Sequence, residues 1–140
     1  MDKPTLYLTN WSSRKHHGPG RKFTIMARPR AWEHGEGRVP VLLPSVADLL
    51  DVKAGRITEA LYFHRFSAQV EACEASGVLA PGRLGALLTS PTEHADPVAD
   101  GDTLLCSCAC GAPCHRRAAV PFLIRAGWRV ILDGMEVLDG

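Results

Sequence analysis

Four cysteines lie within nine residues of this chain, and the last of them, Cys114, is followed directly by His115 and Arg116. Cys114 is the best candidate for a reactive thiol, because a cationic neighbour and the start of a helix both lower the pKa of a thiol. His115 can transfer protons, and Arg116 can pair with a phosphate or a carboxylate. The sequence therefore suggests catalytic roles for Cys106, Cys114 and His115, and anion binding by Arg116 at a helix start rich in backbone donors. The alternative is a structural cysteine whose two neighbours cap a loop.

The same cluster raises the question of a metal or a redox pair. Cys106, Cys108, Cys110 and Cys114, with His115 beside them, are good zinc or iron–sulfur ligands by residue type. Their spacing is unfavourable, because structural zinc sites usually take two separated pairs of ligands. We therefore favour no metal, and the cofactor stays open, with zinc or an iron–sulfur cluster as the alternative. The cluster contains no Cys-x-x-Cys, so the pattern indicates incidental sensitivity to oxidation rather than a dedicated oxidoreductase.

The segments around the cluster predict a strand, a loop, a helix and a second strand. An apolar run ends at Cys106, helical spacing covers Ala118–Ile124, and Trp128–Leu132 forms another apolar run. Pro121 inside the helix predicts either a later helix start or a kink. Because Leu6–Thr9 and 23–27 also have strand patterns, we expect one α/β domain over residues 1–140. Its expected architecture is an open, mostly parallel sheet flanked by helices, Rossmann-like or flavodoxin-like.

The middle of the chain supplies the remaining elements. Two prolines bracket residues 39–44, so this segment is expected to be an edge strand or an extended lead-in. A capping box at Ser45–Asp48 predicts a helix through about Leu50. Residues 56–76 predict a long helix with Tyr62 mostly off its apolar face, and residues 81–88 a short helix. The expected apolar face consists of Ala60, Phe63, Phe66 or Ser67, Val70 and Cys73.

Composition excludes several classes of protein. Sixteen Lys and Arg residues against fifteen Asp and Glu give a formal charge of +1, so no overall field attracts nucleic acid or an acidic membrane. No apolar run approaches the roughly 20 residues of a membrane span, and there is no secretory signal pattern. The chain has five cysteines, an odd number, and four of them are clustered, which is not the pattern of a secreted disulfide framework. We expect a cytoplasmic protein with no membrane partner; the oligomeric state stays open.

A basic region offers an alternative function. Six of the nine residues 14–22 are Arg, Lys or His, and Arg28, Arg30 and Trp32 follow in the next loop. The loop arginines and Trp32 are residue types that pair with and stack on a nucleotide-like ligand. Alternatively, the whole region Arg14–Arg30 binds nucleic acid or a protein partner, and the cysteines have a structural or metal-binding role. A solvated loop would explain the same residues.

The order of motifs resembles a bacterial and phage family known as domain of unknown function four-eight-eight. The resemblance rests on Leu104-Leu105-Cys106, the Cys114-His115-Arg116 triplet and an Ala-rich helix ending near Gly127. Further similar segments cover nearly the whole chain: Tyr7–Trp11, Leu43-Pro44-Ser45, Leu49-Leu50, Lys53-Ala54-Gly55, and Tyr62 with Phe66. The family carries Glu two residues after the first cysteine, where this chain has Cys108. If that carboxylate is a base or orients a ligand, Cys108 must take over its role.

The resemblance implies an open α/β fold with its site at the carboxyl ends of the strands, where residues 7–10 and 106–116 would meet. It implies no established reaction. We expect Tyr7, Thr9, Asn10, Cys108 and Arg116 to bind a small anionic, nucleotide-like ligand. The candidate catalytic residues named above would then carry out hydrolysis or group transfer on it.

Overall fold

A computed structural model describes residues 3–33, 35–88, 96–107 and 114–138 of the 140-residue chain. Its described strands form one seven-stranded sheet in the order β4-β3-β2-β5-β1-β6-β7. The five inner strands are parallel, whereas β4 and β7 pair antiparallel at the two edges. The strands are β1 (Thr5–Asn10), β2 (Lys22–Thr24), β3 (Gly37–Arg38), β4 (Leu87–Leu88), β5 (Thr103–Cys106), β6 (Arg129–Leu132) and β7 (Met135–Val137).

The expected fold class, an open, mostly parallel α/β sheet with helices, is confirmed. Within that class the chain has its own strand order, because β5 lies between β1 and β2. The connection that leaves β1 leads toward β2 and the β4 edge of the sheet, whereas the connection that leaves β5 leads toward β6 and the β7 edge. In open α/β sheets, ligands bind beyond the carboxyl ends of the strands where the connections diverge in this way. The topology therefore favours a site at the ends of β1 and β5.

The helices α1 (Val46–Lys53), α2 (Glu59–Glu74) and α3 (His115–Ala126) begin and end at recognisable signals. The hydroxyls of Ser45 and Thr58 accept from backbone N–H groups in the first turns of α1 and α2. Gly127, in the left-handed region at φ 114°, ends α3. The expected helix start at Ser45 is confirmed by the bond from the Asp48 N–H to the Ser45 hydroxyl, and α1 continues to Lys53, beyond the expected end near Leu50. Helix α3 begins after Cys114 and contains Pro121 in its interior.

One face of the sheet carries the core. Side chains alternate between the two faces of a strand, and in β1 it is Leu6 and Leu8 that join the main apolar cluster. Leu104 and Cys106 of β5 lie on the same face, because Leu8 pairs with Leu104 and Asn10 with Cys106. Helices α2 and α3 pack against each other and contribute the other half of the cluster, including Phe66, Val70, Ala119, Val120 and Leu123. The core face of β5 thus leads directly to Cys106.

The opposite face is covered in part by the loop between β1 and β2. The backbone N–H of Gly18 donates to Thr103 Oγ1 at 2.8 Å, and the Nε2 of His17 lies 3.0 Å from the Asn10 carbonyl oxygen. A side chain at Gly18 would collide with the Tyr7 ring. This close approach explains why glycine occupies the position above that ring.

Three predictions about the middle of the chain are wrong. Residues Pro40–Leu42 form a 3-10 helix rather than a strand, with Pro40 at its first position. Residues 81–88 contain a turn and β4 rather than a helix, because β4 pairs with β3 across the sheet edge. The buried face of α2 consists of Tyr62, Phe66 and Val70, so Tyr62 lies on it and the exposed Ala60 does not. The second strand is also shorter than expected, ending at Thr24.

None of the helices in the described ranges is both long and apolar enough to cross a lipid bilayer. This agrees with the absence of a membrane-span pattern in the sequence.

Candidate functional site

The thiols of two cysteines meet beyond the carboxyl ends of the central strands. Cys106 is the last residue of β5, and Cys114 has extended backbone and immediately precedes α3. Their Sγ atoms lie 3.2 Å apart, and both side chains are buried. Side chains alternate in direction along β5, so Cys106 points toward the helices as Leu104 does. The start of α3 brings Cys114 back to the same place. The two ends of the loop between β5 and α3 thus place two sulfurs in contact.

His115 is fixed so that one ring nitrogen faces the thiol of Cys114. Its Nε2 lies 2.6 Å from the carbonyl oxygen of Ile25, and a carbonyl only accepts, so Nε2 carries a proton. In the neutral ring, Nδ1 is then the unprotonated nitrogen, and it lies 3.6 Å from Cys114 Sγ. The ring also packs edge-on against Phe66, with centroids 5.3 Å apart. This geometry orients a proton acceptor toward a sulfur.

Burial sets the charge state of this histidine. The pKa of His115 lies below its ordinary value mainly because burial disfavours the imidazolium ion, and the positive charge of Arg116 acts in the same direction. The Cys106 sulfur and the Ile25 carbonyl favour the charged form but do not outweigh burial. The neutral imidazole is therefore the form that faces Cys114 at neutral pH, and it can accept a proton from the thiol.

The Arg116 guanidinium lies between the Cys106 thiol and Asp133, the residue that follows β6. Its side chain is fully buried. Nη1 donates to Cys106 Sγ at 2.8 Å, and Nη2 donates to Asp133 Oδ2 at 3.1 Å. Burial alone lowers the pKa of Arg116, but Cys106 and Asp133 outweigh burial and raise it. The guanidinium thus has partners within the chain and is not among the residues that line the cleft described below, and the expected role of Arg116 in ligand binding stays a prediction.

Asp133 adjoins the site, and sequence reasoning did not propose it as a site residue. It follows β6, has φ 49°, and its backbone N–H donates to the Leu8 carbonyl at 2.9 Å. The exposed Arg117 also contacts Asp133 Oδ2, at 3.2 Å. The signal that could have found this residue is its place: it follows a parallel strand adjacent to β1, and its carboxylate is the natural partner of a buried arginine.

A cleft of about 400 Å³ opens onto Cys106, Cys114 and His115. Helix α1 and the first turns of α2 form one wall, through Leu49, Val52, Lys53, Glu59, Tyr62 and Phe63. Arg28 lies on the β2 side, where the chain leaves the sheet, together with Met26. Arg28 and Lys53 are exposed, so the cleft combines aromatic and apolar walls with two cations near the thiols.

The candidate ligand residues of β1 are divided between the two faces of the sheet. Tyr7 and Thr9 alternate with the core residues and lie on the face opposite Cys106. Asn10 is on the same face as Cys106, but its Oδ1 accepts from the Ser13 N–H at 2.8 Å and from the Ser12 hydroxyl at 3.2 Å. This is a local turn motif. None of the three is among the residues that line the cleft.

Cys108 and Cys110 lie outside the described residues. The proposed ligand role of Cys108 and the alternative metal set of Cys106, Cys108, Cys110 and Cys114 therefore stay predictions. Within ranges 3–33, 35–88, 96–107 and 114–138, no group of three or more His, Cys, Asp or Glu side chains is placed to hold a metal ion.

Sequence reasoning found part of the cleft. Arg28 was a candidate for pairing with a nucleotide-like ligand, and it lines the cleft, whereas Trp32 is 62% exposed and does not. Tyr62, Phe63 and Lys53 were not proposed as ligand residues on chemical grounds. The resemblance did single out Tyr62 and Lys53, without a role for either. Their proximity to the thiols depends on how α1 and α2 fold back over β5, which no local pattern reveals.

The basic region Arg14–Arg30 does not act as one uniform cationic segment. Arg21 donates to Asp102 Oδ2 at 2.8 Å, and Arg30 lies 3.8 Å from a carboxylate oxygen of Glu33. Arg14 and Lys15 are exposed in a 3-10 helix between β1 and β2. Nucleic acid or protein binding through this region stays a prediction.

Comparison of the chain with protein-family models, curated proteins and solved structures finds no match. The resemblance to domain of unknown function four-eight-eight therefore stays a prediction.

Proposed function

We propose that the cleft binds a small anionic, nucleotide-like molecule and that Cys114 attacks it in a hydrolysis or group-transfer reaction. The observation that carries this proposal is the pair formed by Cys114 Sγ and His115 Nδ1, 3.6 Å apart at the cleft. A weak nucleophile with an oriented base beside it is the arrangement on which covalent catalysis depends. The base is neutral and is held by the Ile25 carbonyl, so it is ready to accept a proton.

The reaction that fits these residues has two steps. The Cys114 sulfur attacks an electrophilic atom of the ligand while its proton passes to His115 Nδ1, and the leaving group departs with that proton. Water or a second substrate then displaces Cys114 from the covalent intermediate, with His115 accepting its proton. Cys106, held by Arg116 at 2.8 Å, adjoins the reacting sulfur and completes the set of candidate catalytic residues.

The walls of the cleft support the choice of ligand. Arg28 and Lys53 supply positive charge for a phosphate or carboxylate, and Tyr62 and Phe63, with ring centroids 5.4 Å apart, supply an aromatic surface for a base or another planar group. The volume of about 400 Å³ is in the range of small-molecule sites. A molecule with one planar part and one anionic part satisfies both surfaces.

Two alkylating reagents of similar size test the proposal. Iodoacetate is anionic and iodoacetamide is neutral, so the ratio of their rates at Cys114 reports the charge of the cleft. We expect Lys53→Ala and Arg28→Ala to slow iodoacetate several-fold at Cys114 and to leave iodoacetamide nearly unchanged. Peptide mass spectrometry follows each cysteine separately. Arg56→Ala is the matched control, because Arg56 is exposed, pairs with Asp51 and does not line the cleft.

The base and the ligand class have their own measurements. His115→Gln should slow alkylation of Cys114 by both reagents at neutral pH, because the variant lacks a proton acceptor at this position. Calorimetric titration with adenosine monophosphate and with inorganic phosphate should show binding that weakens in Lys53→Ala. Equal rates for the two reagents in every variant, with no binding of either titrant, would refute an anion site.

A further inference from the structure

Cys106 is a candidate catalytic residue, but neither step of the proposed hydrolysis or group transfer gives its sulfur a bond to form or break. Cys106 and Cys114 are both present as thiols, and their sulfurs are 3.2 Å apart. A disulfide bond is about 2.05 Å long, so bond formation requires an approach of only about 1.2 Å. Both sulfurs belong to residues that line the cleft, so a small molecule bound there can reach them.

We propose that Cys106 and Cys114 form a reversible disulfide by exchange with a low-molecular-weight disulfide that binds in the cleft. The proposal rests on the proposed function only for the reactivity of Cys114 and the cationic cleft. Formation of the bond consumes the nucleophile, so the redox state of this pair turns the proposed activity off and on.

The exchange has two balanced steps. The Cys114 sulfur attacks one sulfur of the bound disulfide, its proton passes to His115 Nδ1, and the Cys114–sulfur bond forms as the sulfur–sulfur bond of the ligand breaks. The first small thiol leaves with that proton. The Cys106 sulfur then attacks Cys114 Sγ, and the second small thiol leaves with the proton of Cys106. The ligand disulfide is reduced to two thiols, and the protein dithiol is oxidised by the same two electrons.

The two sulfurs have different surroundings, and the proposed order gives the first attack to the thiol that has a base beside it. Cys114 has the unprotonated nitrogen of His115 at 3.6 Å, whereas the nearest polar partner of Cys106 besides Cys114 is a guanidinium donor at 2.8 Å. A guanidinium cannot accept a proton, so only Cys114 has a base in contact with it. Arg116 is held in turn by Asp133, which fixes Cys106 beside the mixed disulfide that it must attack.

The test uses the full chain with Cys73, Cys108 and Cys110 replaced by serine, so that only the pair remains. The probe is 5,5′-dithiobis(2-nitrobenzoate), an aromatic anionic disulfide whose leaving thiol is coloured. With a slight excess of probe, we expect about two equivalents of coloured thiol per chain and an intact mass about 2 Da lower, with no adduct. Dithiothreitol should restore the original mass.

Single-thiol variants of the same background serve as matched controls. Adding Cys106→Ser should give about one equivalent and a stable adduct on Cys114. Adding Cys114→Ser should slow the first release if the base beside Cys114 decides which thiol attacks first; a release that is not slowed would show that the guanidinium beside Cys106, which favours the Cys106 thiolate, makes Cys106 the attacking thiol. Circular dichroism confirms folding, and the two-thiol protein by itself decides the main question if a serine variant does not fold.

Stable adducts on both thiols of the two-thiol protein, or on one thiol with no loss of mass, would overturn the proposal. Equal rates in the two single-thiol variants would overturn the order of attack. Bis(2-hydroxyethyl) disulfide, a neutral probe, distinguishes this proposal from the proposed function. Formation of the Cys106–Cys114 disulfide with this probe supports the proposal even if the cleft binds no anion. Absence of that disulfide with both probes overturns the proposal even if adenosine monophosphate binds.

Discussion

Replacing Arg116 with alanine should destabilise the fold strongly. The side chain is fully buried, and it joins Cys106 at the end of β5 to Asp133 after β6. Removing one partner of a buried ion pair costs about 3–5 kcal/mol. Because Arg117 still contacts the same Asp133 oxygen at 3.2 Å, the carboxylate keeps a cation, and we expect the lower end, about 3 kcal/mol.

This free energy corresponds to a measurable shift in melting temperature. Unfolding entropy amounts to about 2.1 cal/mol/K per residue, or roughly 0.3 kcal/mol/K for 140 residues. The loss of about 3 kcal/mol therefore lowers Tm by about 10 °C. Arg116→Lys should lie between the variant and the unchanged protein, because an ammonium group keeps the charge but cannot reproduce the two-pronged contact with Cys106 and Asp133.

Arg117→Ala is the matched control, because Arg117 contacts the same Asp133 oxygen from the surface, with 39% of its side chain exposed. Exposed ion pairs contribute up to about 1 kcal/mol, so Tm should fall by about 3 °C or less. Differential scanning calorimetry of the three variants measures the difference. Equal shifts for Arg116→Ala and Arg117→Ala, both within about 3 °C, would refute the structural role and restore the ligand-binding role that the sequence suggests.

Three further predictions concern burial and backbone geometry. His115 has a lowered pKa in the folded chain, so its stabilising contribution is present above about pH 6.5 and is lost as pH falls through the folded pKa. Urea denaturation at pH 7.5 and pH 5.5 should therefore show a smaller loss of unfolding free energy in His115→Gln than in the unchanged protein. An equal loss in the two proteins would contradict the assignment. Trp128→Phe removes the 2.7 Å bond from Nε1 to the Leu79 carbonyl and should cost about 2 kcal/mol in the free energy of unfolding; a change below about 0.5 kcal/mol would show that this buried carbonyl finds another donor. Gly127→Ala should cost about 1–2 kcal/mol because φ is 114°, whereas Gly85→Ala, at an open site without positive φ, should be nearly neutral in the same thermal melts; equal costs would exclude the backbone explanation.

The central strands were predictable because the local pattern of apolar residues in each segment is enough to indicate a strand. Leu6 and Leu8 alternate with the polar positions of β1, and the apolar run of β5 ends at Cys106, where the loop begins. The closeness of the Cys114 and His115 side chains was predictable for a related reason. Residues that are adjacent in sequence at a helix start must share the same few ångströms, so their types alone limit what they can do.

The sheet edge was not predictable from local patterns. Leu87 and Leu88 become a strand only because Arg38 and Gly37 offer an antiparallel partner 50 residues earlier in the chain. Residues 39–44 looked extended because of their apolar content, but Pro40 fixes a φ that also suits the first position of a 3-10 helix. Tertiary pairing overrides the local preference at β4, whereas at residues 40–42 the proline itself favours the helical turn.

The role of Arg116 shows why a residue type at a helix start does not determine its partner. The sequence placed it beside a candidate nucleophile and an expected anion, and either a ligand phosphate or a carboxylate of the chain would satisfy the guanidinium. The choice depends on Asp133, whose position is set by the hairpin between β6 and β7 and by its backbone bond to Leu8. Neither Asp133 nor Arg116 is among the residues that line the cleft, and the buried guanidinium contacts this carboxylate instead.

The positively charged side chains that line the cleft are therefore those of Arg28 and Lys53, which come from two separate segments. The buried cation then serves Cys106, and the neutral base serves Cys114, so two sulfurs only 3.2 Å apart have different surroundings. If both thiols merely packed in the core, neither a buried guanidinium nor an oriented imidazole would be needed beside them, because thiols are satisfied by apolar contacts. A buried arginine and a buried histidine both cost desolvation free energy. Their presence around a thiol pair is consistent with the reaction that we propose at the sulfurs, in addition to the stability that Arg116 contributes.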